Sequence, residues 1–239
     1  MDTLKLRIAL AAGVALQALA PAAHVAAAAI VASGSAPTEA SASASASASA
    51  RSAGLVAQIA AQLGHASGIR ARFTQTQTRV ALKQPLVSSG SLLLVRGRGV
   101  VWHIETPYQA IYLITDAGVS EINADGQRVG GTSAHGTPGT RGVAEVSRMM
   151  RAMLGGDLSA LYSQFDVQAA GTPAQWRMQL TPNQPQLAQA IKGLQMNGGS
   201  YLRTLRITLA NSDVTTLDFA DSATVTDLTP AEQQLFGAL

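Results

Sequence analysis

The chain of 239 residues contains no cysteine. This excludes a disulfide framework, a thiolate metal site, a cysteine nucleophile and a lipid-modified N-terminal cysteine. Aromatics make up only 4% and charged residues only 13% of the chain. Three lysines (Lys5, Lys83 and Lys192) stand against fourteen arginines, the net charge is +3, and no basic cluster is interleaved with aromatics. That balance argues against nucleic acid as a partner. Enzyme signatures are missing as well: there is no G-x-S-x-G elbow, P-loop, H-E-x-x-H or dinucleotide fingerprint. His65, His103 and His135 are dispersed and mark no metal site. Asp116, Asp125, Asp213 and Asp227 fall at expected turns, where aspartate serves its own backbone.

What is present begins with Lys5 and Arg7, followed by an apolar run from Ile8 to Ala20 and small residues with several A-x-A sites between Ala22 and Ala36. This is the pattern of a secretory signal peptide, assigned to residues 1–35. A retained membrane anchor is the rival reading, because apolar residues continue to Ala32. Residues 36–50 hold five successive Ser-Ala pairs, a low-complexity linker expected to be a disordered tether. One domain, residues 51–239, remains.

Leu55, Ile59 and Leu63 recur every four residues, with Ser52 as an N-cap, and predict a helix over 52–67. From Ile69 the period becomes two. Strands are expected at about 86–95, 100–105, 110–115, 118–122 and 126–130, then at 164–170, 174–181, 200–210 and 213–220. A Gly-rich loop (130–142) leads to a helix over Val143–Leu154. A helical turn is expected at 157–163, a short helix near 185–192, and a terminal helix over Thr229–Phe236 capped by Thr229. Strands dominate without a βαβ rhythm, so the class is a large curved antiparallel sheet or barrel with added helices.

Alternation directs Ala71, Phe73, Leu92, Leu94, Trp102, Ile104, Ile111, Leu113, Met178, Leu180, Leu205, Ile207 and Leu209 to one side. Such a face either packs solid or encloses an apolar cavity fit for acyl chains. Met149, Met150 and Met153, three of the six methionines, form an adaptable apolar face on the helix after the Gly-rich loop: a movable lid, or ordinary packing. Arg96 opens the turn Arg96–Gly99, at a cavity rim or simply solvated. His103 and Glu105 share a strand face and offer acid–base chemistry, or else form the polar side of a strand whose Trp102 faces inward.

The succession Ala71-Arg-Phe-Thr-Gln75, Gly90-Ser-Leu-Leu-Leu-Val-Arg96, Trp102-His-Ile-Glu-Thr-Pro107, and Ile111–Asp116 with Gly118 resembles the N-terminal half of the periplasmic outer-membrane lipoprotein carrier (LolA-like) family. The end of the chain, L-T-P-A-E-Q-Q-L-F-G, resembles its divergent members. The resemblance implies a mainly β fold with α: a strongly curved, unclosed antiparallel barrel covered by helices that act as a lid over an apolar cavity. It implies a Gram-negative periplasmic carrier or chaperone that takes acylated lipoproteins from an inner-membrane exporter to an outer-membrane acceptor, with no catalysis and no cofactor, as a monomer. Arg96 falls on the arginine tied to lid closure and release. The expected ligand-binding residues are Arg96, Phe73, Leu94, Trp102, Ile104, Leu113, Met149, Met150, Met153 and Met178. Gly97, where the family has Pro, and the split turn Asp116-Ala-Gly118 depart from the pattern and leave another acylated lipid or glycolipid open as cargo, carried or sensed. The remaining rivals are a hydrolase using His103 and Glu105 and a filled, ligand-free core.

Overall fold

The structure, a computed structural model, describes residues 39–115, 118–123, 128–133 and 159–237. Helix α1 spans Glu39–Gly64 and leads into a meander of six strands: β1 (Gly68–Thr78), β2 (Leu86–Val95), β3 (Gly99–Thr106), β4 (Ala110–Thr115), β5 (Gly118–Ile122) and β6 (Arg128–Ser133). A second meander follows helix α2 (Ser159–Tyr162). It comprises β7 (Phe165–Thr172), β8 (Gln175–Pro182), the short helix α3 (Pro185–Ala188), β9 (Ile191–Gly198), β10 (Leu202–Leu209) and β11 (Val214–Thr224), and helix α4 (Pro230–Gly237) closes it. The expected lid helix over 143–154 lies outside the described residues.

All the strands belong to one eleven-stranded sheet in the order β6-β5-β4-β3-β2-β1-β11-β10-β9-β8-β7. Every pairing but one joins neighbours in sequence. The exception is β1 with β11, antiparallel from Ile69 opposite Thr224 to Thr78 opposite Val214, with a bulge between Arg70 and Arg72. The order has two ends, β6 and β7, so the strongly curved sheet is an unclosed half-barrel, as expected.

Strand alternation sorts the apolar residues onto two faces. The inner face carries Ala71, Phe73, Leu92, Leu94, Trp102, Ile104, Met178, Leu180, Leu194 and Leu205, in one cluster with Val56, Ile59 and Leu63 of α1. The outer face has a smaller cluster, Leu93, Val101, Leu113 and Ile122, closed by Val225 and by Phe236 of α4.

Two elements differ from expectation. The Ser-Ala repeat is helical from Glu39 onward rather than a disordered tether. Alanine is the best helix former, and once the packed segment up to Gly64 is nucleated, each preceding residue adds a hydrogen bond at little further cost. Ser52 therefore sits within the helix, and its hydroxyl accepts the Ala169 N–H at 2.8 Å on edge strand β7 instead of capping a terminus. The helix expected near 185–192 is a single turn, and β9 takes over at Ile191. The sequence predicts no strand between 192 and 200, where Gly193, Asn197, Gly198 and Gly199 have weak strand propensity, but pairing with β8 and β10 on both sides overrides it.

The terminal helix begins as read. Thr229 Oγ1 accepts the Glu232 N–H at 3.2 Å, and Glu232 Oε2 accepts the Thr229 N–H at 2.8 Å, a reciprocal capping box. Arg70 of β1 donates to the other carboxylate oxygen and ties α4 to the sheet. Partial burial alone would raise the Glu232 pKa, but the bonds from Thr229 and Arg70 outweigh it and hold the carboxyl below its ordinary value of 4.5. A lowered folded-state pKa gives stability that is complete above 4.5 and is lost as pH falls through the lowered value. Protection of the α4 amides against hydrogen exchange, relative to the intrinsic rate at each pH, should therefore fall in acid before that of the sheet does. Glu232→Gln should remove that pH dependence, and Thr229→Ala should cost about 1 kcal/mol.

Candidate functional site

The inner face is built around aromatic and sulfur-bearing side chains. Phe73 and Trp102, on β1 and β3, lie with ring centroids 4.0 Å apart at 34°. Leu94, Ile104 and Met178 are buried in the same cluster. Five of the residues expected to bind ligand thus come together on one surface. Leu113 does not: Val101 pairs with Leu113 and Trp102 with Tyr112, so Leu113 faces outward with Ile111. Counting alternation through the β3–β4 turn without its register places the strand one residue out, which exchanges its faces. Met149, Met150 and Met153 lie outside the described residues.

Several inner-face residues carried no separate mark in the sequence. Trp176 is buried, and its indole N–H donates to the Gly199 carbonyl at 2.9 Å. Gly198 lies so close to it that a Cβ there would stand 2.6 Å from the Trp176 ring. Among the described residues Gln75 is the one buried polar side chain, 6% exposed, and its amide has no hydrogen-bond partner there. It sits between Leu217 and Ser88, on the strand face of Ala71 and Phe73. The spacing 71, 73, 75 already directs it inward. A polar residue at an inward strand position is the signal that reveals it.

Helix α1 fills the half-barrel. Val56 and Ile59 are fully buried and Leu63 nearly so. Polar attachments include Ser52 and Gln62, whose amide donates to the carbonyls of Pro173 and Gly199. The helix lays an apolar stripe of Val56, Ile59 and Leu63, flanked by Leu55, on the sheet.

Arg96 lies elsewhere, in an open groove of about 720 Å³ at one end of the sheet, with His65, Arg98, Val225, Asp227 and Leu228. Its backbone N–H donates to Ser67 at 2.9 Å, and Arg98 N–H to Val95 at 3.1 Å closes the turn. Gly97 has φ +74°, a value proline cannot reach, so the departure from the family's Pro follows from this turn's geometry. Neither this groove nor a second cleft of about 400 Å³ beside β10 and β11 is lined by Phe73, Leu94, Trp102, Ile104 or Met178. Glu105 pairs with Arg72 at 3.3 Å on an exposed face, which gives its carboxylate a structural partner. Among the described residues no group of three or more His, Asp or Glu could hold a metal ion.

An unclosed half-barrel with a helix-covered apolar face defines a class of hydrophobic-ligand binders. The chain belongs to the outer membrane lipoprotein carrier protein LolA-like family, whose pattern it matches over residues 45–235. No curated protein matches it. Among solved structures it is similar to a LolA superfamily protein from Nitrosomonas europaea, at 8% identity and TM-score 0.42 over 74% of this chain and 94% of that one. It is also similar to the Pseudomonas aeruginosa MucA/MucB complex, at 14% identity and TM-score 0.42, over 77% of this chain and 60% of that one. The Mycobacterium tuberculosis lipoprotein LppX is similar at 13% identity and TM-score 0.41, over 74% of this chain and 99% of that one. With scores this low, membership rests on the family match.

A buried amide without a partner loses roughly 1–3 kcal/mol relative to one in water. Gln75→Leu should therefore leave the domain as stable or more stable in a thermal melt. A fall in stability would mean that Gln75 is a satisfied structural residue.

Proposed function

We propose that this protein is a periplasmic carrier that takes acyl chains onto the inner face of its half-barrel and shuttles acylated lipoproteins from an inner-membrane exporter to an outer-membrane acceptor. The observation that carries the reading is α1, whose apolar stripe lies on the apolar inner face of an unclosed sheet. Each fully buried aliphatic side chain is worth about 1.5–3 kcal/mol, so Val56, Ile59 and Leu63 together contribute roughly 5–9 kcal/mol. A saturated chain of about sixteen carbons, at ~0.8 kcal/mol per CH₂, offers roughly 12 kcal/mol. Cargo therefore competes successfully for the face, and α1 returns when the cargo leaves. Release needs no nucleotide, only an acceptor that binds the chain in turn.

Phe73, Leu94, Trp102, Ile104 and Met178 contact the acyl chains in this reading, and the Gln75 amide meets an ester or amide carbonyl where the chain joins its headgroup. Met149, Met150 and Met153 complete the cover. Arg96, exposed at the turn, acts on release rather than on folding. No step requires catalysis or a cofactor.

The chain has no cysteine of its own, so a cysteine pair introduced as Ser52→Cys and Ala169→Cys would lock α1 to β7. Expressed in a Gram-negative periplasm, the unaltered protein should co-purify with acylated species by mass spectrometry. The locked pair should come empty and should bind an acyl probe once reduced. Equal loading of both would place the site elsewhere. Triacylated lipoprotein as the bound species supports the lipoprotein route, whereas a glycolipid keeps the carrier and changes its cargo. Arg96→Leu should change stability by no more than about 0.5 kcal/mol, as exposed substitutions do, while slowing or speeding transfer to acceptor membranes. Unfolding by this substitution would remove Arg96 from the mechanism.

A further inference from the structure

The exposed large apolar side chains of the described residues are Val80, Leu82, Val87 and Tyr162, at 74%, 44%, 53% and 44% exposure. Scattered singly, such residues are ordinary. Three of these four fall within eight consecutive positions at the tip of the β1–β2 hairpin. We propose that this tip, Arg79–Val87, is a docking element for an anionic lipid surface.

The tip is shaped for that contact. Leu82 N–H donates to the Arg79 carbonyl at 3.0 Å, a tight turn that sets Val80 at its corner. Val80 N–H is held by Asp213 Oδ1 at 2.9 Å, which fixes the tip to the β10–β11 turn. The apolar side chains are thus presented by an ordered backbone. Arg79 and Lys83 flank them, and no acidic residue occurs from 79 to 87. Asp213 is the carboxylate bonded to the tip, and its second oxygen is taken by the Asn211 amide. Apolar side chains between cations on flexible stems suit the boundary between anionic headgroups and acyl chains.

The path of α1 supplies an independent observation. The helix meets Pro173 and Gly199 through Gln62, and Ala169 through Ser52. Its N-terminus therefore runs toward the end of β7 where Phe165 lies, which the sheet register places at the same end as the hairpin tip. From Ser52 back to Glu39 the helix runs about 20 Å at 1.5 Å per residue, against about 13 Å of strand from Ala169 to Phe165. The polypeptide thus enters the domain from beyond the rim that bears the tip.

Docking at this tip does not depend on the cargo. It is tested with Leu82→Trp in the full chain, read as the difference from the unaltered protein under the same conditions, which removes the signal of the buried Trp102 and Trp176. With vesicles of phosphatidylglycerol and phosphatidylcholine, the introduced indole should shift to shorter wavelength and be quenched by brominated lipid. Both signals should weaken in phosphatidylcholine alone, in high salt, and when Arg79→Gln and Lys83→Gln are added. An introduced indole that keeps its water-exposed spectrum overturns the proposal, whether or not the protein floats with the vesicles through another segment. Unaltered melting confirms that the exposed substitution leaves the fold intact.

Discussion

The ladder between β1 and β11 is the interaction on which the rest of the structure depends. Each meander closes its own hairpins locally, at small entropic cost. Only this ladder joins them, pairing Ile69 with Thr224 and Thr78 with Val214 across most of the domain. Without it there are two smaller sheets, each exposing half of an apolar face. With it, Phe73 of one half and Phe219 and Leu217 of the other stand side by side, and a single continuous surface forms. The entropy of closing so long a loop grows only slowly with its length, so one extended ladder, supported by burial on both faces, suffices to hold the halves together. It also anchors both covering helices, because β1 supplies Arg70 to α4 and inner-face packing to α1.

A sheet that joins in the middle keeps two ends, and the structure treats them as different problems. At β7 the exposed ladder is covered by α1, whose Ser52 hydroxyl takes up a strand N–H. This protects an edge that would otherwise invite pairing with another chain. The same helix occupies the apolar concavity. Edge protection and cover of the binding face therefore reside in one element, and displacing α1 exposes both together.

The distribution of polar groups follows the same logic. The outer face and turns carry the ion pairs Arg70–Glu232 and Arg72–Glu105, which are exposed and individually worth little. The inner face carries one buried amide, Gln75, near the end of β1 that leads to the hairpin tip. In the proposed reading, an acyl chain seated along the strands would bring its ester toward that end. The groove around Arg96 lies at the opposite end, beyond Gly68, where α1 finishes. The apolar inner face and the Arg96 groove are thus spatially separate in this fold.

Much of this was legible before any coordinates. Period-two runs located ten of the strands to within a few residues, T-P-A-E announced the capping box of α4, and the ordered motifs from Phe73 to Pro107 pointed to the family. These are properties of short windows, in which alternation, turn residues and caps act through the nearest few neighbours. Tertiary structure decided the rest. The outward facing of Leu113 depends on a register set across the β3–β4 pair. The helical state of the Ser-Ala repeat depends on a nucleus packed against a distant sheet, and β9 forms because partners flank it on both sides. That α1 fills the inner face, and that Gln75 is buried without a partner among the described residues, are facts about groups brought together from far apart in the chain. Local composition states which residues prefer burial; only the closed β1–β11 ladder determines what they are buried against.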